Sequence, residues 1–388
     1  MSRARSGGLL LALAYAGFVS IGLPDGLLGV AAPSMLAEFG LGPEALGALL
    51  ATFTAGYLVA SITSGRILGR HGIGAVLAWS CFATGVSLLG YALAPRWGVL
   101  VACGALAGLG AGAVDAGLNT YVATRHGVRT LNWLHACYGL GTTGGPLLMS
   151  AVLGAGRPWQ LGYVVVSLAQ LVLAACFAST RGRWPPAGAN AAGATFTSSL
   201  VDTLRHRGVW PGVATFFAYT GIEAATGVWA YALFTESRGV APAVAAACVS
   251  GYWASFTLGR VVLGTVAARV ALRAFLRACV LAILTGAAIL WLAPGTLGLA
   301  GLVLVGLGCA PIFPSLMAAT PARVGPSHAA NAIGLQVCGA TIGASALPAA
   351  VGVLAARAGL EVLGPSLLVA AALLLVLTET LGAEPRRM

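Results

Sequence analysis

The chain alternates between long apolar runs and short polar breaks over almost its whole length. A helix that crosses the hydrocarbon core of a bilayer needs about 20 apolar residues, whereas a transmembrane barrel shows short segments of alternating hydrophobicity. The long runs therefore predict an all-α membrane protein. Twelve transmembrane helices are expected, near 8–31, 44–68, 73–94, 97–122, 131–154, 159–180, 209–235, 242–268, 271–293, 297–320, 328–355 and 360–382.

One polar stretch is much longer than the other breaks. It runs from Arg181 to Gly208 and holds Pro185, Pro186 and a segment rich in alanine, glycine, serine and threonine. Such a composition is typical of a linker between domains. It predicts an N-terminal six-helix bundle over 1–180, a linker over 181–208 and a C-terminal six-helix bundle over 209–388.

Charged residues make up only 8% of the 388 residues, against about 25% in soluble domains. Too few charges remain to coat a water-facing surface, which excludes a soluble enzyme, a nucleic-acid-binding protein and a disordered chain. The eight cysteines fall in different apolar runs, whereas a disulfide framework or a zinc site would cluster them. No metal and no cofactor are expected.

The arginines that give the chain its net charge of +11 are distributed unevenly between the two sides of the predicted spans. Sixteen arginines fall on the side that holds both termini, and four fall on the other side, at Arg96, Arg157, Arg238 and Arg357. The positive-inside rule then places both termini and the linker on the cytoplasmic side. The expected location of the chain is the inner membrane of the cell. An odd number of helices would break this bias, which supports the count of twelve.

The two halves of the chain match each other in three pairs of helices. All three matches have the same offset of 198 residues, and the loop after the second predicted helix matches at 199, where Gly65 and Arg70 correspond to Gly264 and Arg269. One glycine match means little in a chain with 55 glycines, but three at one offset indicate an internal repeat. The matching segments are Asp25–Val30 with Glu223–Val228, Gly108–Gly110 with Gly306–Gly308, and Gly141–Gly145 with Gly339–Gly343.

Two parallel six-helix repeats joined by a linker follow the plan of the major facilitator superfamily. The loop Gly65–Gly72 resembles the signature of that superfamily between its second and third helices. The loop differs from this signature at one position. Where the superfamily usually has an aspartate, this chain has Gly69, and the second copy has Ala268. The departure argues against the charge-relay role usually assigned to the motif, whereas its glycines and Arg70 fit close helix packing and a cytoplasmic latch.

The chain further resembles the fucose-permease-like branch of this superfamily over nearly its whole length. The motifs that carry this resemblance are Gly22–Gly26, Asp115–Asn119, Leu134–Gly141, Gly221–Glu223 with Trp229, Pro311–Pro314 and Gly334–Gln336. The resemblance implies two pseudo-symmetric six-helix bundles and alternating-access transport of a small, polar, sugar-like solute. It places Asp25 and Asp115 at the positions of the acids that couple transport to protons in that branch.

A proton-driven exporter of drugs or metabolites with the same fold is the alternative function. A membrane-embedded enzyme is not expected, because the sequence shows neither a His-Glu-x-x-His nor a Gly-x-Ser-x-Gly motif and its five histidines are scattered. The expected partners are a small solute, protons and the lipid bilayer, without nucleic acid, and the expected state is a monomer.

Only four fully charged side chains lie well inside the predicted spans, namely Asp25, Asp115, Glu223 and Arg260. A charge at the bilayer centre costs about 2.5–3.5 kcal/mol on insertion scales, so these residues are functional candidates. Removal from water favours the neutral form of a carboxyl group, which allows proton exchange near neutral pH. For the two aspartates, the alternative is a structural carboxylate beside a helix break such as Pro24.

Glu223 and Arg260 have several candidate roles each. Glu223 is predicted to bind sugar hydroxyls or a cation, or to exchange protons, and its alternative is a hydrogen bond within the second repeat. Arg260 is predicted to pair with Asp115, or with a solute oxygen, as a gate on the cytoplasmic side. Its alternative is a snorkelling side chain that reaches the cytoplasm.

Other polar and aromatic side chains in the predicted spans are candidates for lining a solute cavity. His135 and Asn119 are a polar pair on neighbouring helices, and their alternative is an interhelical hydrogen bond. The aromatic candidates have packing as their alternative. The solute-binding candidates are Asn119, His135, Tyr138, Glu223, Trp229, Trp253 and Gln336, with Asn331, Tyr57 and Tyr219 as further groups able to line a cavity.

Overall fold

The computed structural model describes residues 2–42, 45–185, 198–293 and 297–381. Within these ranges the regular structure is helical, without a strand. Two predicted features lie outside the described residues: the central part of the linker at 186–197 and two arginines of the predicted cytoplasmic side, at 386 and 387.

Every predicted span coincides with a long helix, except that the tenth is divided into two helices. The break falls at Ala310 and Pro311, because proline has no N–H to continue the helical ladder. The helices are α1 Ser2–Phe39, α2 Leu46–His71, α3 Ile73–Leu93, α4 Trp97–Arg125, α5 Val128–Gly154, α6 Gln160–Thr180, α7 Leu200–Arg205, α8 Val209–Ala232, α9 Pro242–Ala267, α10 Leu272–Leu292, α11 Gly298–Cys309, α12 Ile312–Val324, α13 Ala329–Ala358 and α14 Leu363–Leu381.

Nine helices of the described chain are long and apolar enough to cross a membrane. The three other predicted spans are α5, α8 and α9, which are helices of 27, 24 and 26 residues. Their apolar windows are interrupted by polar residues, among them His135 in α5, Glu223 in α8 and Arg260 in α9. The same polar residues are those that the sequence marks as functional candidates.

The short helix α7 lies within the segment that the sequence predicts as linker. It begins with a capping box, in which the Ser199 hydroxyl accepts a hydrogen bond from the Asp202 amide at 3.1 Å and the Asp202 carboxylate accepts one from the Ser199 amide at 3.3 Å. The spacing of serine and aspartate is visible in the sequence and would have predicted this helix start.

The chain divides into two compact units. Unit 1 comprises Met1–His126, Leu134–Thr203 and Val324–Gly334, and unit 2 comprises Gly127–Trp133, Leu204–Arg323 and Leu335–Met388. The division runs through α5, α7, α12 and α13, and every other helix lies within one unit.

Glycines of the repeat lie where α1 and α5 approach each other in unit 1. A Cβ atom added at Gly141 or Gly145 of α5 would collide with the carbonyl oxygen of Val19 or Leu23 of α1. Small residues allow helix backbones to approach closely inside a membrane. These glycines of α5 therefore allow close packing against α1.

The corresponding glycines make the same kind of contact in unit 2. Gly339 and Gly343 of α13 face the carbonyl oxygens of Val213 and Phe217 of α8. The glycines of the two repeats are 198 residues apart and their carbonyl partners 194, one helical turn less, so both repeats use the same kind of contact in a register shifted by one turn.

The glycines of the signature-like loop pack in a similar way against two asparagines. Gly65 of α2 lies against Asn331 within unit 1, and Gly264 of α9 lies against Asn132 within unit 2. Both pairs are related by the offset of 199 residues. Gly72, which separates α2 from α3, has a φ of 78°, a conformation that glycine adopts without strain.

An ion pair ties three segments of unit 2 together, and its loss is expected to destabilise the protein. Arg238 donates to both carboxylate oxygens of Glu361, at 2.9 and 2.7 Å, and to the carbonyl oxygens of Leu290 and Ala293. Its side chain is 8% exposed, whereas that of Glu361 is 45% exposed. An Arg238→Gln substitution is therefore expected to lower the free energy of unfolding by about 2 kcal/mol, less than the about 3–5 kcal/mol of a fully buried pair.

Thermal unfolding in detergent measures this effect. Arg273→Gln is the matched control, because Arg273 also pairs with a glutamate, Glu379, but is 52% exposed and exposed ion pairs contribute little. Equal melting temperatures for Arg238→Gln and Arg273→Gln would contradict the expectation.

Candidate functional site

The carboxylate of Asp115 lies at the centre of a polar chain that joins α2, α4 and α5 in unit 1. Its Oδ2 accepts a hydrogen bond from the Tyr57 hydroxyl and its Oδ1 accepts one from Asn119 Nδ2, both at 2.9 Å. Because Asn119 Nδ2 faces Asp115, Asn119 Oδ1 accepts from His135 Nε2, at 3.0 Å. The structure thus brings together three predicted site residues, Asp115, Asn119 and His135, with one further hydroxyl.

This polar chain is shielded from solvent. Asp115 and His135 are each 6% exposed and Asn119 is fully buried. The His135 ring also packs edge-on against Phe18, at 5.2 Å between ring centroids. An acid and a histidine are therefore linked by one amide inside the helices of unit 1, an arrangement that can relay a change in protonation.

A second carboxylate of unit 1 belongs to Asp25 on α1. Its Oδ2 accepts a hydrogen bond from the Tyr138 hydroxyl on α5 at 2.7 Å, and its side chain is exposed. The contact depends on the glycine packing of α1 against α5, since Gly22 lies against the carbonyl oxygen of Tyr138. Helix α1 continues through Pro24, so the helix break expected beside Asp25 is absent.

The third carboxylate, Glu223, belongs to unit 2. It accepts a hydrogen bond from the Tyr219 hydroxyl, one helical turn earlier on α8, at 2.5 Å. The Tyr252 hydroxyl of α9 donates to the Glu223 carbonyl oxygen at 3.0 Å. Arg260, 8% exposed, lies close enough for its charge to interact with Glu223, and its guanidinium lies 4.2 Å from the centre of the Phe256 ring.

The predicted aromatic residues of unit 2 lie in two different environments. Trp229 donates from Nε1 to the Pro348 carbonyl oxygen at 2.8 Å and its ring lies against Gly352, so it packs α8 against α13. Trp253 is 41% exposed and its ring lies against Gly227, one turn from Glu223. Of the two tryptophans, Trp253 is therefore the exposed one, although its ring also packs against Tyr252 and Phe256.

The remaining predicted residues lie away from these acids. Gln336 is fully buried and accepts a hydrogen bond from Thr320 at 2.9 Å. Its amide lies beside Gly212, about 16 Å from Glu223 along α8 at 1.5 Å per residue. Arg70 is exposed at the end of α2. Neither residue is brought together with Asp115 or Glu223 within its own unit.

Sequence reasoning missed the phenolic partners of the three acids, Tyr57, Tyr138 and Tyr219, as hydrogen-bond donors to carboxylates. One of these contacts had a visible signal, since Tyr219 and Glu223 are four residues apart and share a helix face. The other two join different helices and left no local pattern. Among the described residues, no cluster of three or more histidine, cysteine or acidic side chains could hold a metal ion.

The fold and these sites together define a polytopic membrane transporter, and the comparison with known families agrees. The model of the Major Facilitator Superfamily matches residues 14–348, which is most of the chain. The chain therefore belongs to the major facilitator superfamily, whose members are transporters and not enzymes. No curated protein matches the chain by sequence.

Solved structures with the same fold include sugar transporters. FucP, a major facilitator transporter in the outward conformation, matches with a TM-score of 0.81 and 18% identity over 97% of this chain and 99% of that chain. A variant of the E. coli fucose:proton symporter FucP matches with 0.80 and 18% over 97% and 98%. The proton:xylose symporter XylE, bound to 6-bromo-6-deoxy-D-glucose, matches with 0.75 and 13% over 96% and 94%.

These similarities confirm the predicted major facilitator fold and the structural resemblance to fucose-permease-like symporters. At such low identities they show the fold alone and carry no assignment of solute or coupling ion.

Proposed function

We propose that the chain is a proton-coupled secondary transporter of a small, polar, sugar-like solute. The observation that carries this proposal is the polar chain from Tyr57 through Asp115 and Asn119 to His135, because it places a shielded acid and a histidine in hydrogen-bonded sequence inside unit 1. The structural similarity to FucP and XylE, which are named as proton symporters of sugars, supports the same conclusion.

The two acids of unit 1 differ in access, and we assign them different parts of the coupling. Asp25 is exposed, whereas Asp115 is 6% exposed. An accessible carboxylate can take up a proton directly from water, whereas a shielded one exchanges only when the helices around it rearrange. This difference supports proton entry at Asp25 and a conformation-dependent protonation of Asp115.

Glu223, with Trp253 nearby, is the proposed contact for the solute in unit 2. A carboxylate accepts hydrogen bonds from sugar hydroxyls, and an exposed aromatic ring packs against the C–H face of a sugar. Arg260 is a neighbouring charge of Glu223. A gate formed by Arg260 with Asp115, and a cytoplasmic latch that includes Arg70, stay predictions.

The proposal includes the organisation predicted from the sequence. The division into bundles over 1–180 and 209–388 with a linker over 181–208 follows the internal repeat. The excess of arginines on one side supports cytoplasmic termini in a cell membrane. Alternating access of a monomer would then carry solute and proton together across the bilayer.

The test is a thermal-shift screen of sugars and polyols on the purified chain, followed by uptake of the stabilising compound into proteoliposomes. Saturable uptake that increases with an inward proton gradient and loses this increase with a protonophore is expected. Uptake at the same rate and to the same level with and without the gradient would contradict proton coupling. Stabilisation by lipophilic drugs only would contradict the sugar-like solute.

A further inference from the structure

We propose that unit 2 contains a buried oxyanion-binding site at the start of α8, formed by Arg323, Gln336 and the first turn of that helix. This site is separate from the three acids described above and goes beyond the proposed symport of a sugar-like solute. Four independent observations lead to it.

The first observation is the environment of Arg323 in the last turn of α12. Its Nε, Nη1 and Nη2 atoms are all buried, and none of them has a hydrogen-bond partner in the described chain. A guanidinium without a partner is costly in a low-dielectric interior. The carbonyl end of α12 offsets only a small part of this cost, so the geometry lacks a negative group.

The second observation is an amide that points to the same place. Gln336 is fully buried, its Oε1 accepts from Thr320, and its Nε2 has no partner. Arg323 Nη2 and Gln336 Nε2 each lie 2.7 Å from the position that a Cβ atom would take at Gly212. Unused donors of a cation and of an amide therefore converge beside one glycine.

The third observation is the position of that glycine in the first turn of α8, which begins at Val209. The Val209 N–H bonds to the His206 carbonyl oxygen and Pro211 has no N–H, so this end contributes mainly the positive end of the helix dipole. No side chain caps this end. The helix terminus adds partial positive charge to the same site, as in many anion sites.

The fourth observation is that no acid of the described residues supplies the missing charge. In the part of unit 2 that the structure describes, Glu223 accepts from Tyr219, Glu361 pairs with Arg238, Glu379 pairs with Arg273 and Arg277, and no acid bonds the Arg323 guanidinium. The sequence between 186 and 197 contains no acid. The described residues therefore leave the place of a negative group open at this site, which a bound anion would fill.

The donor set defines the chemistry of the ligand. A guanidinium offers two parallel N–H groups that match the oxygens of a carboxylate, phosphate or sulfate, and the Gln336 amide adds a third donor. The ligand is either a free oxyanion or the acidic group of a solute that carries one. The long Arg323 side chain can shift to admit either one.

The test measures thermal unfolding of the purified full chain at constant ionic strength, with inorganic phosphate, sulfate or acetate added to a buffer without oxyanions. A saturable rise in the melting temperature by several degrees is expected for the natural sequence, and its loss is expected for Arg323→Gln. The matched control is Arg125→Gln, because Arg125 precedes Arg323 by the repeat offset of 198 residues but is exposed at the end of α4. This control is expected to keep the full response.

A second variant keeps the test decisive if Arg323→Gln does not fold. Gln336→Glu places a carboxylate next to Arg323 and is expected to raise the melting temperature without any added anion and to abolish the response to anions. No response of the natural sequence to any of the three anions would overturn the proposal. A full response in Arg323→Gln or in Gln336→Glu would also overturn it.

The source of the oxyanion is distinguished by comparing a neutral sugar with its uronic acid. Stabilisation by the uronic acid at far lower concentrations than by acetate or phosphate would assign the site to an acidic solute. Equal stabilisation by acetate and the uronic acid would assign it to a free anion. Because this readout is binding and not transport, its result is independent of whether the chain proves to be a sugar symporter.

Discussion

Replacing Asp115 by asparagine is expected to abolish accumulation of the solute against its gradient while leaving exchange of solute across the membrane. Asparagine has nearly the same shape as a protonated aspartate and still accepts a hydrogen bond from Tyr57, but it cannot take up or release a proton. One unit of pH difference provides about 1.4 kcal/mol per proton, or a tenfold accumulation. Without the titrating group, the ratio of internal to external solute is expected to fall to about one.

The measurement compares net uptake and counterflow in proteoliposomes that contain the compound found in the thermal-shift screen. Tyr57→Phe is the matched control, because it removes one hydrogen bond of Asp115 but keeps the acid. This variant is expected to accumulate solute at a reduced rate. If Asp115→Asn accumulated solute as the natural sequence does, and Asp25→Asn did the same, coupling through the acids of unit 1 would be refuted.

Adding a single methyl group at Gly145 is expected to unfold or strongly destabilise unit 1. A Cβ atom there would lie against the carbonyl oxygen of Leu23, and 2.8 Å from the amide nitrogen of Leu27 and 2.9 Å from Gly26 Cα. Backbone atoms cannot rotate away as a side chain can, so α1 and α5 would have to separate. The cost is expected to reach the upper part of the about 1–3 kcal/mol range of overpacked sites, or exceed it.

Its neighbour Gly144 provides a control of opposite sign. A Cβ atom at Gly144 would have its nearest contact at 3.5 Å, with the flexible end of Leu23. Because alanine favours the helical state over glycine by up to about 1 kcal/mol, Gly144→Ala is expected to be neutral or stabilising. Gly343→Ala, at the repeat position in α13, is expected to behave like Gly145→Ala. Thermal unfolding of the three variants tests this expectation. Equal melting temperatures would show that the close contact does not contribute to stability.

The sequence predicted the positions of the long helices because each one is an apolar run bounded by polar residues. It did not predict which prolines would interrupt them. Helix α1 continues through Pro24 and Pro33, and α13 continues through Pro348. The tenth predicted span, in contrast, is broken at Pro311, where α11 ends. A membrane-spanning helix tolerates proline when neighbouring groups satisfy the freed carbonyl, and that condition depends on tertiary packing.

The acids of the candidate site were visible in the sequence because a charge within an apolar run is conspicuous. The hydrogen bond between Asp115 and Asn119 follows from a spacing of four residues on one helix. The bond from Tyr57 to Asp115 joins residues 58 positions apart, and no local pattern encodes it. Arg323 was counted among the arginines of the cytoplasmic face, because the sequence does not show that its guanidinium is buried.

The three carboxylates share a feature that bears on how protonation could be observed. Each accepts a hydrogen bond from a tyrosine: Tyr138 for Asp25, Tyr57 for Asp115 and Tyr219 for Glu223. A phenol both donates and accepts hydrogen bonds. When the acid gains a proton, the acid can therefore donate to the tyrosine and the pair stays hydrogen-bonded. An arginine partner would instead be left as a cation without a counter-charge. Each acid therefore has its own vibrational reporter, and substituting one phenylalanine at a time for these tyrosines would assign the carbonyl bands that appear when protons bind.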